Sequence, residues 1–509
     1  MKKYKHFLKL NLLLTLIIFP FSALASSNKI SDNISYFFDN ALSPITSFFS
    51  FILLGSEYKI FDKIYQISIF GFPLIVLWLI SASLYFTISL KFVNIRLFKH
   101  GIDVVRGKYS SKEDSSGKIS PLQALCTAVS ATVGLGNIAG VAIAISLGGP
   151  GAVFWMMVAA FLGMTTKFIE VTLGQKYRQI KDGHLLAGPF YYLEHGLKDH
   201  NHQKLGKFLA KFAAISCIFG AIGAGIMFQA NQSITIITES FNLGGFSKII
   251  IALTLSFIIA FILIGGIVRV AQIAEKIVPI MAITYILMCL TILVINNDKI
   301  INSIMLIFYS AFDNNAIYGG VIGAIIQGFK RAAFSNEAGL GSAPIAHAAA
   351  KVQHPMQEGS VSILEPFIDT ILICFLTGIT IITTQVYLDN SISGILMSNA
   401  AFSLQIPWFS YLLSIVVFLF AFSTMLTYSY YGKQAWTYLS KGKHLSICYI
   451  IFAFFVFIGG MIKISTVIDL ADILFLSMSI PNIIGLYIMS GTIKKELNEY
   501  IKKLKDRKL

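Results

Sequence analysis

Charge is what this chain has least of. Only 13% of its 509 residues are Asp, Glu, Lys or Arg, about half the usual share for a soluble domain. Hydrophobic residues make up 56% and the mean hydropathy is +0.74, which excludes both an ordinary soluble domain and a disordered chain. Cysteine is scarce as well. Cys126, Cys217, Cys289, Cys374 and Cys448 lie far apart, each in or beside an apolar segment, with no CxxC pair. They read as small buried hydrophobes, not as a disulfide scaffold or metal cluster. HExxH, GxSxG and DDxxD-like sets are missing, which leaves a multi-pass membrane enzyme only as a disfavoured alternative. Acidic residues number 25 against 40 basic ones, a formal charge of +15. The basic residues concentrate in short interhelical stretches and in the tail Lys494–Lys508. Positive-inside bias explains that distribution without a nucleic-acid partner.

What the chain has is long apolar runs. About eleven candidate spans fall near 69–90, 121–147, 150–174, 209–236, 248–268, 274–295, 318–346, 361–383, 408–431, 446–462 and 468–491, each of about 20 residues. The expected fold class is an all-α polytopic membrane protein embedded in a lipid bilayer. The basic loops 91–120 and 175–208, Arg269, Lys433, Lys441, Lys443 and the tail 492–509 fall on one side if the spans alternate, whereas 237–247 and 384–407 carry no Lys or Arg. This puts the N-terminus outside and the C-terminus in the cytoplasm. Residues 1–25 agree: Lys2, Lys3, Lys5 and Lys9 precede a short apolar run that ends in Ala23-Leu24-Ala25, the pattern of a cleavable secretory signal. An uncleaved anchor helix is the alternative. Residues 26–68 are expected along the outer surface, 69–491 form the transmembrane domain, and 300–312 suit an interfacial helix.

Two spans are interrupted. TAVSATVGLGNIAGV, residues 127–141, places Gly134, Gly136 and Asn137 mid-span, and Ser335-Asn336-Glu337-Ala338-Gly339 with Pro344 interrupts the seventh. Glycine weakens a helix interior, and freed backbone groups at membrane depth are tolerated only inside protein or along a cavity. With the first span set aside, the two breaks head two five-span halves. Five is odd, so the halves are inverted, the arrangement that marks a transporter binding site. Half-helix N-termini near Gly136, Asn137 and Ile138 suit a substrate carboxylate. Carbonyls of Ser130, Ala131, Thr132 and Val133 suit a small cation, with hydroxyls available at Ser423, Thr424 and Thr427. The run Gly134–Ala139 also fits G-x-G-x-x-A, but it follows no strand, and 150–166 contain no acidic residue, so a nucleotide site is excluded.

VGLGNIAGV with LGGPGAVFW, AGPFYYLEHGL, MFQANQSI, GFKRAAFSNEAGLGSAPIAHAAAK and FSTMLTYSYYG together resemble the alanine/glycine:cation symporter family across roughly 70–495. The VGLGN core is also similar to the neurotransmitter:sodium symporters, which share a five-plus-five inverted repeat of LeuT type, here preceded by one extra helix. The resemblance implies sodium-coupled import of alanine, glycine or a related small neutral amino acid across the bacterial inner membrane, with sodium co-transported, no organic cofactor and a monomeric carrier. It implies substrate contacts at Gly134, Gly136, Asn137, Gln229, Asn231, Phe334, Ser335, Asn336, Gly339 and Tyr428. The sodium ligands it implies are Ser130, Thr132, Val133, Asn137, Ser423 and Thr424. Tyr428 stands where the family pattern has tryptophan, Thr427 where it has glycine and Leu135 where threonine is frequent, so the amino acid carried is open. A proton-coupled transporter of the same fold is the alternative; the absence of Lys, Arg and His from 121–166 favours sodium.

Ionisable residues at membrane depth are functional candidates. Glu337 is either such a group or the partner of Lys330 or Arg331, and both basic residues are gate candidates. Glu170 is expected to pair with Lys167 three residues earlier. Asp369, on the same face as Glu365, is expected to hold a gate or loop and not a ligand. His347 and His354, at the exit of the second break, read as packing or interface residues and not as proton carriers.

Overall fold

The computed structural model describes residues 28–506 except 56–57, 61–62, 66, 70, 110–116, 182–183, 264–265 and 314–319. The expected signal segment 1–25 and the last three residues of the tail lie outside this set. The described residues fold almost wholly as helices, with three small antiparallel strand pairs at 58–65, 68–73 and 179–186.

The N-terminal segment forms α1 (Asn28–Phe49) and leads to α2 (Leu74–Ser89). The first broken span is α3 (Pro121–Thr132) and α4 (Gly136–Gly148), bent by 51°. Then come α5 (Gly151–Lys176), the short α6 (Pro189–Asp199), α7 (Gln203–Ser240), α8 (Gly245–Leu263), α9 (Gly266–Ile295) and α10 (Ile300–Ser310). The second broken span is α11 (Gly320–Asn336) and α12 (Ala343–His347). It is followed by α13 (Pro355–Thr383), α14 (Ile395–Ser403), α15 (Phe409–Ser440), α16 (Leu445–Met461), α17 (Ile464–Leu476) and α18 (Ser479–Lys505).

Six helices among the described residues are long and apolar enough to cross a membrane, or seven with α3–α4 taken as one span. Helices also cover the remaining expected segments, but α2, α8 and α16 are shorter and α11–α12 is interrupted. The last expected span is divided at residues 477–478, and its second part runs through the basic tail as far as Lys505. The tail stays helical because Ile493, Leu497 and Tyr500 repeat at helical spacing and bury one face.

Burial separates core from periphery. Only 39% of the apolar window of α9 is buried against 72% of that of α7, and Ile280, Ile283, Leu287 and Val294 of α9 are exposed. Such a face is soluble only in lipid. The core is formed where α5 packs against α11 and α13, and where α15 packs against α3, α7 and α9. The two broken spans therefore lie inside the bundle.

Candidate functional site

The first break begins with a well-anchored helix. Ser120 caps α3 in a reciprocal capping box with Gln123, and Pro121 takes the first helical position. The helix ends at Thr132, where Val133 leaves helical geometry at φ −74°, ψ 80°. Side-chain amides then replace the missing helical partners. The amide of Gly134 donates to Asn137 Oδ1 at 2.9 Å and that of Leu135 to Gln229 Oε1 at 3.0 Å. Freed amides inside a membrane protein require such partners. A Cβ on Gly134 would sit 2.5 Å from Thr424 Oγ1 and 3.2 Å from Gln229 Oε1, so glycine is needed here for close approach. The carboxylate site expected at three amides is narrower. Asn137 and Ile138 already donate to the Gly134 and Leu135 carbonyls at 3.2 and 3.3 Å, because the chain re-enters its turn at once.

The expected cation ligands of α15 meet α3 beside this break. Thr424 Oγ1 donates to the Ser130 carbonyl at 3.0 Å, and Ser130 Oγ donates to the Ser423 carbonyl at 3.1 Å with Thr427 Oγ1 at 3.0 Å. Ser423 Oγ bonds the Phe420 carbonyl at 3.0 Å. Thr132 differs: its hydroxyl turns back to the Ala128 carbonyl at 3.3 Å. Every one of these residues is buried. A cluster of hydroxyl and carbonyl oxygens at a half-helix C-terminus fits a small hard cation.

Asp369 was expected to hold a gate or a loop, and its partners are the two breaks themselves. It holds both breaks together. Asn137 Nδ2 donates to its carboxylate at 2.6 Å and to its carbonyl at 2.9 Å, while Ser335 and Thr370 hydroxyls donate to Oδ2 at 2.6 Å each. Asn336 joins through Thr370 Oγ1 at 3.1 Å. A Cβ on Gly136 would lie 3.4 Å from the Ser335 Cα, so the two broken chains touch. Glu365 has other partners altogether: Lys167 and His347. Between the two acids α13 changes to a π-helical stretch, Phe367–Cys374, a distortion common at functional sites. The rule for ionisable groups at membrane depth was the one sequence signal that pointed to Asp369.

The second break is longer. Glu337, Gly339 and Gly341 all have positive φ, 61°, 91° and 79°. Asn482 Nδ2 donates to the Gly339 carbonyl at 2.8 Å and to Glu170 Oε1 at 2.5 Å, and the Gly341 amide donates to the same Glu170 oxygen at 3.1 Å. Tyr192 donates to Asn482, and Ser342 to Glu337.

Two expected pairings change, and His347 gains a partner. Glu337 does not meet Lys330 or Arg331; both bond Asp472 of α17, Lys330 at 2.7 Å. Lys167 pairs with Glu365 at 2.8 Å, not with Glu170, because Glu170 faces the unwound chain. His347, a buried residue between helices as expected, also bonds Glu358 Oε1 through Nδ1 at 2.6 Å.

Phe334 packs edge-on to Phe228 and Phe475 at 5.0 and 5.2 Å, with Arg331 over its ring. Tyr428 packs on Tyr431 and Phe475, its hydroxyl towards Glu337. Two expected contacts lie apart from the junction at Asp369. Asn231 Nδ2 bonds the Gly459 and Ile462 carbonyls at 3.0 and 2.9 Å, bracing α7 against the end of α16. Gly339 faces Leu79 and Ile483.

Residues 54–509 match the family described as the sodium:alanine symporter family. The chain is 40% identical over 433 residues to the sodium/alanine symporter AgcS of Methanococcus maripaludis, covering 84% of this chain and 94% of that one. It is 36% identical to the probable sodium/glutamine symporter GlnT of Bacillus subtilis, covering 85% and 88%. Among solved structures, MhsT in complex with L-phenylalanine superposes with a TM-score of 0.51 at 15% identity, covering 74% of this chain and 89% of that one. That likeness concerns the fold alone.

Proposed function

The chain belongs to the sodium:alanine symporter family and is a membrane transporter, and we propose that it imports alanine, glycine or a related small neutral amino acid together with sodium by alternating access. The observation that carries this reading is the junction of the two breaks at Asp369, which ties Asn137 of one to Ser335 of the other. Unwound segments facing each other inside a bundle are where transporters of this class hold substrate and ions.

In this reading eleven spans form a five-plus-five inverted repeat preceded by α2, with the N-terminus outside and the C-terminus in the cytoplasm of the inner membrane. The carrier works as a monomer. Sodium sits among Ser130, Val133, Ser423 and Thr424, and Thr427 joins the shell. The substrate lies between the breaks, its carboxylate at the Gly136 amide and its side chain towards Leu135, Gln229 and Phe334. Asp369, Asn137 and Ser335 offer a second place for a cation, with a carboxylate to neutralise it. Lys330 and Arg331 act with Asp472 as a gate that links α11 to α17.

Uptake of labelled alanine into proteoliposomes tests the reading. An inward sodium gradient is expected to drive concentrative uptake that collapses in choline. Flux that ignores the gradient, or never exceeds equilibration, overturns it. Competition by glycine, glutamine and phenylalanine then ranks the side chains accepted.

A further inference from the structure

Beside the second break lies a group of buried ionisable side chains that substrate and sodium binding do not use. Lys167 and Glu170 come from α5, Glu337 from the end of α11, His347 from α12, and Glu358 and Glu365 from α13; none is more than 1% exposed. Lys167 Nζ is 2.8 Å from Glu365 Oε1, His347 Nδ1 is 2.6 Å from Glu358 Oε1, and His347 Nε2 is 3.4 Å from Glu365 Oε2. Glu170 and Glu337 face the same Lys167. The group ties α12 to its neighbours, and Gln175 adds a bond to the His347 carbonyl at 2.6 Å.

The charges do not balance. Four carboxylates face one lysine and one histidine. Arg178 at the rim faces Glu358, and counting it still leaves one negative charge over, before Asp369, which faces Glu365, is added. The other groups around the cluster are neutral: Tyr192 beside Glu170, Tyr428, Tyr431 and Cys217 beside Glu337. An uncompensated ionised carboxylate in a membrane interior is expensive and takes up a proton or a cation instead. Hydrogen bonding points the same way. Glu170 Oε2, Glu337 Oε1 and Glu358 Oε2 are buried with no hydrogen-bond partner, and a bare carboxylate oxygen in that position is costly. The oxygens do not converge as a metal needs: among the described residues no three His, Cys, Asp or Glu side chains could hold a metal ion.

We propose that this cluster is a proton-binding site, separate from the sodium ligands, which holds at least one proton on Glu170, Glu337 or Glu358 while α12 is packed as seen. Withdrawal of α12 separates His347 from Glu358 and Glu365 and admits water. The carboxylates then ionise and the proton leaves to the same side; it is bound and released without being carried across. Transport rate, not sodium stoichiometry, depends on pH at that face. Only this transport consequence rests on the alternating-access reading.

Infrared difference spectroscopy on the purified full-length carrier tests the site without any transport. The carbonyl stretch of a protonated carboxyl group is expected near neutral pH, equal in sodium and in choline, and is lost at alkaline pH. Glu170→Gln, Glu337→Gln or Glu358→Gln should remove it, and Asp369→Asn should leave it. Should these variants not fold, His347→Gln serves instead: loss of a cation should hold the proton to higher pH and shift the band's titration upward. No band, a band that sodium abolishes, a band lost only in Asp369→Asn, or a titration unmoved in His347→Gln overturns the proposal.

Discussion

The two breaks solve the same problem with opposite chemistry. At the first, the unwound residues are held by neutral groups: Asn137 and Gln229 accept from the Gly134 and Leu135 amides, and hydroxyls of α15 bond Ser130. At the second, a carboxylate and an amide from two other helices, Glu170 and Asn482, grip Gly341 and Gly339. A neutral shell leaves room for a cation to supply the charge. A charged shell is already occupied by its own ions and protons, and it responds to pH instead. The first break is therefore the place to look for sodium, and the second for control of opening.

Asp369 is the one acid shared by both, so its removal gives the largest effect. Asp369→Ala takes the carboxylate acceptor from the buried Ser335 and Thr370 hydroxyls, about 1–3 kcal/mol each, and leaves Asn137 only the main-chain carbonyl of residue 369. Alanine uptake should fall by at least about a hundredfold. Asp369→Asn keeps an acceptor but drops the charge, and the sodium dependence of its uptake separates the two contributions. Wild-type uptake in Asp369→Ala would sever the proposed link between the breaks.

Gly134→Ala attacks the neutral break alone. Its Cβ would meet Thr424 Oγ1 at 2.5 Å, and overpacking of this kind costs about 1–3 kcal/mol. The sodium concentration for half-maximal uptake should rise about tenfold or more. Thr424→Ala removes a single hydrogen bond of about 1 kcal/mol, so a rise of about fivefold is expected in the same measurement. Glu170→Gln at the charged break is the counterpart: it should leave the sodium response unchanged and alter the maximal rate. A sodium shift in Glu170→Gln as large as that in Thr424→Ala would erase the distinction.

How much of this was legible in the sequence follows the same divide. The first break lies within 15 residues whose glycines and asparagine disclose themselves, and its hydroxyl partners form one short run, Ser423–Thr427. Local pattern suffices there. The second break depends on residues far apart in the chain: Glu170 meets Asn482 across 312 positions, and Arg331 meets Asp472 across 141. Such pairings are set by helix packing, which one sequence does not display. Glu170 and Lys167 were misread because i, i+3 spacing permits a pair but tertiary partners decide it. For Asp369 the sequence did not disclose the partners, Asn137 and Ser335, which lie 232 and 34 positions away.

Asn231 lies outside both breaks, bonded to Gly459 and Ile462. Asn231→Ala should lower the thermal midpoint, since two buried carbonyls lose their donor, while half-saturation by alanine stays unchanged. A weakened alanine affinity without loss of stability would restore it to the substrate site.

The smallest effect is expected at Tyr428. It is one helical turn from Thr424 on α15, yet its hydroxyl faces Glu337 and its ring packs on Phe475 and Tyr431. One helix thus serves the neutral break with one residue and the charged break with the next on the same face. Tyr428→Phe deletes only a buried hydroxyl that makes no hydrogen bond, so uptake should stay close to that of wild type. The sodium response should not move, because Thr424 and Ser130 keep their bond. The discriminating measurement is the order in which glycine, alanine and glutamine compete for uptake. An unchanged order assigns Tyr428 to the charged break. A changed order places its ring against the substrate, and the two breaks then share a wall that the present division keeps apart.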